Sequence, residues 1–267
     1  MNQTEAGLFT KNLYESNTQE EWDYLLGPVN YHYHFGFPGG SSNIFENAIY
    51  QNVFPFIANN SRVLDCGCGW GAPAEMLVEQ KKCKVTCVTN SSSQIKFIKK
   101  QRKNIQVIEK DLNLFKPIKR YDTVLFYESL SHIENQKELL KNISLITDNI
   151  LLIDHISYPV KQSGRFINNH LNYYPSEFDP SWYMHFQNIN NTCKKLKDLN
   201  FKIQYCKDLG TSHILPTYKY WKSRLKNMKR KTGQLALLEN DMDLMIQNIK
   251  IAMKETGLVL IYASKNL

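Results

Sequence analysis

An α/β fold with a mostly parallel sheet, covered by helices on both faces, is the class this sequence predicts. Three observations predict it. Between residues 62 and 155, β-branched and apolar runs alternate with amphipathic stretches, which is the pattern of a parallel sheet wound with helices. Several of the runs, such as DTVLFY (122–127) and NILLIDH (149–155), are continuously apolar, as strands buried on both faces are. The first run is followed at once by glycines at alternate positions in RVLDCGCGWGAP (62–73), a turn suited to the carboxyl edge of such a sheet. The chain has 267 residues and 42% hydrophobic content, enough for one large domain or for a core with an insertion.

The elements follow in order. Residues 1–26 read as polar and helical, with Trp22, Tyr24, Leu25 and Leu26 as a docking stripe. Residues 27–43 hold proline, glycine and aromatics and read as loop. Ser42 or Asn43 caps a helix running to Val53, with Ile44, Ala48 and Phe54 on its inner side. Strands are predicted at 62–66, 84–89, 105–108, 122–127 and 149–155, with helices at 73–80, 91–103 and 135–146. The helix at 73–80 has its proline in the first turn, where it is tolerated, and that at 91–103 turns Ile95 and Ile98 inward. After His155 the alternation stops. A helix at about 190–199, a strand at about 201–206, a long basic helical region at about 214–254 and a last strand at 258–263 complete the chain. No internal repeat or low-complexity tract is present.

Glycine lets backbone approach a ligand closely and adopt positive φ. A tight turn without a ligand is the alternative reading of the glycine run. The pattern here is D-x-G-x-G-x-G. It lacks the lysine that grips phosphate in a phosphate loop, and Asp65 would oppose a pyrophosphate. An ammonium or sulfonium ligand suits it better. These residues resemble the first motif of class I S-adenosylmethionine-dependent methyltransferases. The resemblance implies a Rossmann-like seven-stranded, mostly parallel sheet, S-adenosyl-L-methionine as cofactor, Asp65, Gly67 and Gly69 lining it, and Gly71 packing close to a helix.

VTCVTNSSSQIKFIKK (85–100) resembles the second-strand segment of the cyclopropane-fatty-acid synthase and coclaurine N-methyltransferase branch. That resemblance places Thr89, Asn90 and Gln94 near the ribose, where hydroxyl and amide groups can hydrogen-bond its hydroxyls. EKDLN (109–113) then places Asp111 and Leu112 beside the adenine, and YDTVLFYESLSHI (121–133) resembles the fourth-strand motif. NYHYHFG (30–36) resembles the aromatic segment that covers the cofactor in sterol and tocopherol methyltransferases, with Tyr33 and His34 as lid candidates. For Tyr33, plain aromatic packing is the alternative. HILPTYKYWKSRL (213–225) resembles a C-terminal helix of the branch. In all, the resemblance covers about 31–263.

Methyl transfer is an in-line displacement at a sulfonium, and much of its rate comes from positioning. Glu128, just past the buried fourth strand, is the leading catalytic candidate; a carboxylate favoured by a helix dipole is the alternative. His132 lies four residues on, one turn away if the segment is helical, and a surface or otherwise satisfied histidine is its alternative. His155, at the end of the fifth strand, completes the catalytic set; a buried core histidine is its alternative. Tyr127, His213, Tyr218 and Trp221 are substrate-pocket candidates. The cysteine-containing segment of cyclopropane synthases is replaced here by YHYHFGF (31–37), which weighs against cyclopropanation. No [ND]-P-P-[YFW] motif and no Pro-Cys catalytic pair occur, which weighs against methylation of DNA amino groups, protein glutamine or RNA cytosine.

The expected organisation is an N-terminal helical lid over 1–60 and a cofactor-binding core over 61–155. An aromatic and helical substrate-binding insertion over 156–254 and a final core strand within 255–267 follow. The insertion carries Tyr158, Phe166, Tyr173, Tyr174, Phe178, Trp182, Tyr183, Phe186, Tyr218, Tyr220 and Trp221, a density suited to an apolar or cationic small molecule. It also suits a core of the insertion's own.

Six cysteines, Cys66, Cys68, Cys83, Cys87, Cys193 and Cys206, match no zinc template and read as reduced thiols; no metal is expected. Net charge is +8, concentrated in KYWKSRLKNMKRK (219–231). Arg224, Lys226, Lys229 and Arg230 there could hold a phosphate or diphosphate, or form a solvated face. No apolar run is long enough to span a membrane and no signal peptide is evident.

The function expected is methyl transfer to a small hydrophobic or natural-product-like molecule, with carbon the favoured acceptor. The alternatives are an amine or phosphoethanolamine-like N-acceptor and, outside catalysis, an RNA- or membrane-docking protein. A cytoplasmic location, no nucleic-acid partner, no stable membrane insertion and a homodimer as the candidate assembly accompany this reading.

Overall fold

In the computed structural model the described residues are 3–26, 31–38, 43–157, 178–179, 184–185, 187–226 and 256–265, with 228, 235, 238–239, 242–243 and 246–247. Five parallel strands form the heart of the sheet: β1 (Arg62–Cys66), β2 (Lys84–Thr89), β3 (Gln106–Glu109), β4 (Thr123–Tyr127) and β5 (Asn149–Ser157). Two later strands, β6 (Lys202–Asp208) and β7 (Thr256–Ser264), extend it in the order β3-β2-β1-β4-β5-β7-β6. Only β7 runs against its neighbours. A two-residue strand, Gln187–Asn188, adds a short parallel pairing to β5.

The predicted strand burial on both faces is met. Val63, Val85, Leu125, Leu151 and Leu260 pack into one core layer. Leu64, Val88, Val124, Leu152 and Ile261 pack into the other. Adjacent residues of one strand thus serve opposite layers, as the period of two requires. Fully burying a leucine or isoleucine of this kind stabilises by roughly 1.5–3 kcal/mol.

Eight α-helices are described: α1 (Glu5–Glu15), α2 (Gln19–Leu26), α3 (Ile44–Asn52), α4 (Ala72–Lys81), α5 (Ser92–Gln101), α6 (Gln136–Ser144), α7 (Ile189–Asp198) and α8 (Gly210–Leu225). Their starts follow cap chemistry. Asn43 accepts from the N–H groups of Phe45 and Glu46, and Ser91 from that of Gln94. The polar N-terminal stretch forms two helices, α1 and α2. Ile49 of α3, with Val53 and Ile57, joins the first core layer. The basic helix starts earlier than expected, at Gly210, and runs through Pro216. A third cluster gathers Trp22, Leu25, Tyr31, Phe45, Trp70, Trp221 and Leu225 beneath the N-terminal helices. Of the insertion's aromatics, Tyr158, Phe166, Tyr173, Tyr174, Trp182, Tyr183 and Phe186 lie outside the described residues, as do Lys229 and Arg230.

Candidate active site

The site grows from the carboxyl edge of β1. Gly67, Gly69 and Gly71 have φ of 81°, 53° and 79°, a region costly for residues with a Cβ. A Cβ on Gly67 would also lie 2.4 Å from Cβ of Ser129. Around Gly69 the space is open, with nothing within 4 Å, so the chain there presents bare backbone to a cavity. Arg102 braces the loop from behind. It is buried, donates from Nε to the Trp70 carbonyl (2.8 Å), pairs with Glu75 and lies over the Phe97 ring.

Two cavities, one larger than the other, meet at this edge, with Tyr14, Gly67, Gly69 and Glu128 as a common wall. Asp65 lines the smaller one. It is 1% exposed, and neither carboxylate oxygen has a partner. Burial pushes its pKa up to about 7. A buried carboxylate with no donor is a costly arrangement, and a cationic ligand would relieve it.

The larger cavity is lined by Thr89, Asn90, Gln94, Asp111, Leu112 and His132, among others. The polar groups named from the sequence are here, but most of their capacity is spent within the protein. The Thr89 hydroxyl donates to Gln94 Oε1 (2.6 Å), Ser91 N–H donates back to it, and Asn90 donates to the Gly7 carbonyl (2.7 Å). The Gln94 amide nitrogen is buried with no partner, so it is the free donor of this set. Asp111 is spent entirely. One oxygen accepts from Thr4 N–H and Oγ1 (2.8 and 2.7 Å), the other from the backbone and side-chain nitrogens of Asn113 (2.9 and 3.0 Å). The carboxylate expected beside the adenine therefore holds α1.

That helix supplies what sequence reading missed: Gly7, Thr10 and Tyr14 line the larger cavity, and Tyr14 both. A Cβ on Gly7 would lie 2.1 Å from Asp111 Oδ2. An isolated glycine within a helical pattern is a signal of such close approach.

The turn after β4 carries the catalytic candidates. Glu128 has φ 54° and donates its N–H to the Ile153 carbonyl (2.6 Å). Asp154 fixes the turn by accepting from the N–H groups of Ser129 and Ser131 (3.1 Å each) and His155 (2.7 Å). The Ser129 hydroxyl donates to the Cys66 carbonyl (2.6 Å), tying this turn to the glycine loop. His132 sits on a single 3-10 turn, Leu130–His132, rather than an α-helix. It lines the larger cavity with Glu128. Glu128 Oε1 accepts the Phe35 N–H (2.7 Å), and burial holds its carboxyl well above the ordinary range. Burial, with His132 nearby, pushes His155 down to about 3, so it is neutral at pH 7, with its ring 5.3 Å from that of Phe35.

Tyr127 and Tyr33 line the smaller cavity; Tyr33 also stacks on Trp221 (5.3 Å). His213, Tyr218 and Trp221 line neither cavity. His213 is buried against Asn52 (2.7 Å) and the Phe37 ring. Trp221 packs on Phe45, and Tyr218 on Phe35. All three pack α8 against the aromatic segment at 31–37. Arg224 donates to the Tyr24 carbonyl (2.8 Å) and Lys222 pairs with Asp243, so part of the basic run is engaged in holding helices. Among the described residues no cluster of histidine, cysteine or acid could hold a metal, and no helix is long and apolar enough to cross a membrane. The six cysteines are free.

Residues 63–148 match a family model described as a methyltransferase domain. Over 110 residues the chain is 36% identical to an (S)-tetrahydroprotoberberine N-methyltransferase of Eschscholzia californica, covering 38% of this chain and 31% of that one. The chain thus aligns with about a third of the length of the curated relatives it matches. Among solved structures it superposes on the cyclopropane synthase MmaA2 of Mycobacterium tuberculosis with TM-score 0.79 at 14% identity, covering 98% of this chain and 99% of that one. On a coclaurine N-methyltransferase bound to N-methylheliamine and SAH the TM-score is 0.71 at 18% identity, covering 97% and 86%. Residues 63–148 are thus similar to a methyltransferase domain, and the chain shares the Rossmann-like α/β fold of these solved methyltransferase structures.

Proposed function

We propose that this protein transfers a methyl group from S-adenosylmethionine to a nitrogen atom of a small, largely apolar amine. The observation that carries the reading is the juxtaposition, on one wall, of an unpartnered buried carboxylate and a proton-accepting carboxyl. Asp65 and Glu128 both line the smaller cavity. The residues fit the cofactor. Asp65 suits its ammonium, the bare backbone at Gly69 suits close approach, and the free Gln94 amide suits a ribose hydroxyl. When bound, the cofactor supplies an electrophilic methyl on a sulfonium.

The chain's own residues do the rest. Tyr14, Tyr33, Trp70 and Tyr127 enclose the smaller cavity with aromatic walls that exclude water and favour a cation. An ammonium substrate must lose its proton before nitrogen can attack. Glu128, with one oxygen held by Phe35 N–H, has the other to receive that proton, and burial, which raises its pKa, makes it a stronger base than an exposed carboxylate. His132, on the same cavity wall, can pass the proton to solvent. Relatives named as N-methyltransferases support nitrogen as the acceptor. A carbon acceptor is the second reading. It is favoured by the same aromatic enclosure, whose faces and whose Glu128 would stabilise a carbocation.

Titration calorimetry with S-adenosylmethionine, followed by turnover on a panel of cyclic secondary amines and of prenyl alkenes, tests this. A methylated amine detected by mass spectrometry is the expected result, and a methylated alkene favours carbon. A folded sample that does not bind the cofactor overturns both. Glu128→Gln should cut kcat by about 10²-fold or more with cofactor affinity unchanged.

A further inference from the structure

Unmatched polar groups are few in this cleft and unevenly placed. Among the described residues, the buried indole N–H groups of Trp22, Trp70 and Trp221 have no partner. Trp22 and Trp221 line neither cavity. Trp70 lines the smaller one, and so does Asp65, whose two oxygens are also without partners. Trp70 is 2% exposed and Asp65 1%. The larger cavity has neither residue in its wall.

The Trp70 ring is held in place by its neighbours. Tyr31, Phe97 and Trp22 lie against it, with ring centroids 5.2, 5.4 and 5.7 Å away. Its carbonyl accepts from Arg102 Nε (2.8 Å). Phenylalanine would meet the same rings without a polar atom to satisfy. A buried N–H that forgoes its hydrogen bond weakens the fold, and here a ligand in the cavity can supply the missing acceptor. Indole N–H only donates, and an ionised carboxyl only accepts. The two orphans therefore ask for opposite groups: a cation on Asp65, an oxygen on Trp70. Among the described residues lining this cavity there is no lysine or arginine. His34 lines it too, but burial pushes it down to about 4, so it is neutral at pH 7. The positive charge nearest to hand is that of Arg102, on the Trp70 backbone; burial lowers it only to about 10, so it stays charged.

We infer that the Trp70 indole N–H binds the carboxylate of the cofactor's amino-acid end, while Asp65 takes its ammonium. This rests on S-adenosylmethionine being the ligand of the cleft. An ammonium and a carboxylate on one carbon define an α-amino acid, and only one end of the cofactor carries them. The two orphans thus orient the ligand. The amino-acid end enters the smaller cavity, and the nucleoside end the larger, where the free donor is the Gln94 amide. Trp70 is then a specificity residue as well, since a sulfur nucleoside lacking the carboxyl leaves its N–H unmet.

Calorimetry on the full chain, with S-adenosylhomocysteine and with its decarboxylated analogue, which keeps the ammonium, tests this. The wild type should bind the analogue about tenfold more weakly, the effect of one hydrogen bond to a charged group. Trp70→Phe should bind S-adenosylhomocysteine about tenfold more weakly and change its affinity for the analogue by less than about twofold, because the lost contact is already absent there. Equal losses on both ligands would make Trp70 a packing residue, and no loss on either would remove it from the site; each overturns the assignment. The indole signals in 1H–15N spectra of tryptophan-labelled wild type give a second readout. The Trp70 signal, assigned as the one missing from W70F, should move downfield with S-adenosylhomocysteine and much less with the analogue. If W70F does not fold, the signal is assigned through its ring-to-backbone connectivities, and equal shifts with the two ligands overturn the assignment. A folded wild type that binds neither ligand sinks the cofactor reading and the proposed function with it. Binding of both, with the Trp70 indole unmoved, sinks this inference alone.

Discussion

Two aspartates stand at strand ends in one cleft and are used in opposite ways. Asp65, near the end of β1, is buried with both oxygens bare. Asp111, after β3, is also buried and accepts four hydrogen bonds, two of them from Thr4, the cap of α1. Burial pushes the first up to about 7. The difference teaches how this cleft is divided. An aspartate with its hydrogen bonds complete is structure, here the latch of a helix over the opening. One left without donors is an unfilled demand that only a ligand can meet. The same division runs through the amides: Asn90 is spent on the Gly7 carbonyl, while the Gln94 nitrogen is free.

The sharpest way to break this contrast is Asp65→Asn. If Asp65 meets the cofactor's ammonium, losing its charge should weaken S-adenosylmethionine binding by about 100-fold or more, in line with the roughly 2–5 kcal/mol that buried charge pairs carry. Asp111→Asn should weaken it only severalfold, through a looser α1. Calorimetry on both variants decides, and equal losses would erase the distinction.

The contrast also has a stability signature. A carboxyl whose pKa is raised in the folded state binds its proton more tightly there than in the unfolded chain. Its contribution to stability is whole below about 4 and is lost as pH rises to about 7. Relative to Asp65→Asn, the ligand-free wild type should thus lose stability across that window, on the order of 4 kcal/mol for a shift of about three units. At pH 7 the variant should be the more stable of the two without cofactor and the less stabilised by adding it. Unfolding in denaturant at several pH values measures this, and parallel curves for the two proteins would contradict it.

How much of this was legible in the sequence follows the range of the interactions. Caps and strand ends are local: of the two candidates Ser42 and Asn43, Asn43 caps α3, the helix read from Ser91 starts one residue later with Ser91 as its cap, and β2 spans Lys84–Thr89 as predicted. The glycine loop is legible because its chemistry lies within a few residues. The latch is not, since Thr4 and Asp111 are 107 residues apart and nothing near either announces the other. The aromatic partners of His213 and Trp221 belong to the segments at 31–37 and 44–52. Their residue types suggested a substrate pocket, and nothing local announced these long-range aromatic contacts. The positive φ of Glu128 is likewise set by the grip of Asp154 from another strand.

Replacing Gly7 with alanine sharpens the latch itself. The added methyl would stand 2.1 Å from Asp111 Oδ2, so α1 must shift or the carboxylate turn. Overpacking of this kind costs about 1–3 kcal/mol. Hydrogen exchange in α1 should accelerate and the KM for S-adenosylmethionine should rise severalfold, with exchange in the sheet strands unchanged. Exchange slowed or unaltered in α1 would show that the helix does not depend on this close approach.

The smallest effect tests the other end of the latch. Thr4 caps α1 by accepting from Gly7 N–H (3.0 Å) while its hydroxyl donates to Asp111 Oδ2 (2.7 Å). One oxygen thus joins helix start and cleft. Thr4→Val keeps the shape and removes both bonds, and the loss of such a cap is worth about 1 kcal/mol. Because the Thr4 backbone N–H still reaches Asp111 (2.8 Å), the helix should fray rather than leave. Exchange should quicken in the first turn of α1 alone, and Tyr14 at the far end should keep its place on the cavity wall. If quickening reaches Tyr14, the hydroxyl of Thr4 governs the whole helix, and the latch is a single bond rather than a seam from Thr4 through Gly7 to Asn90.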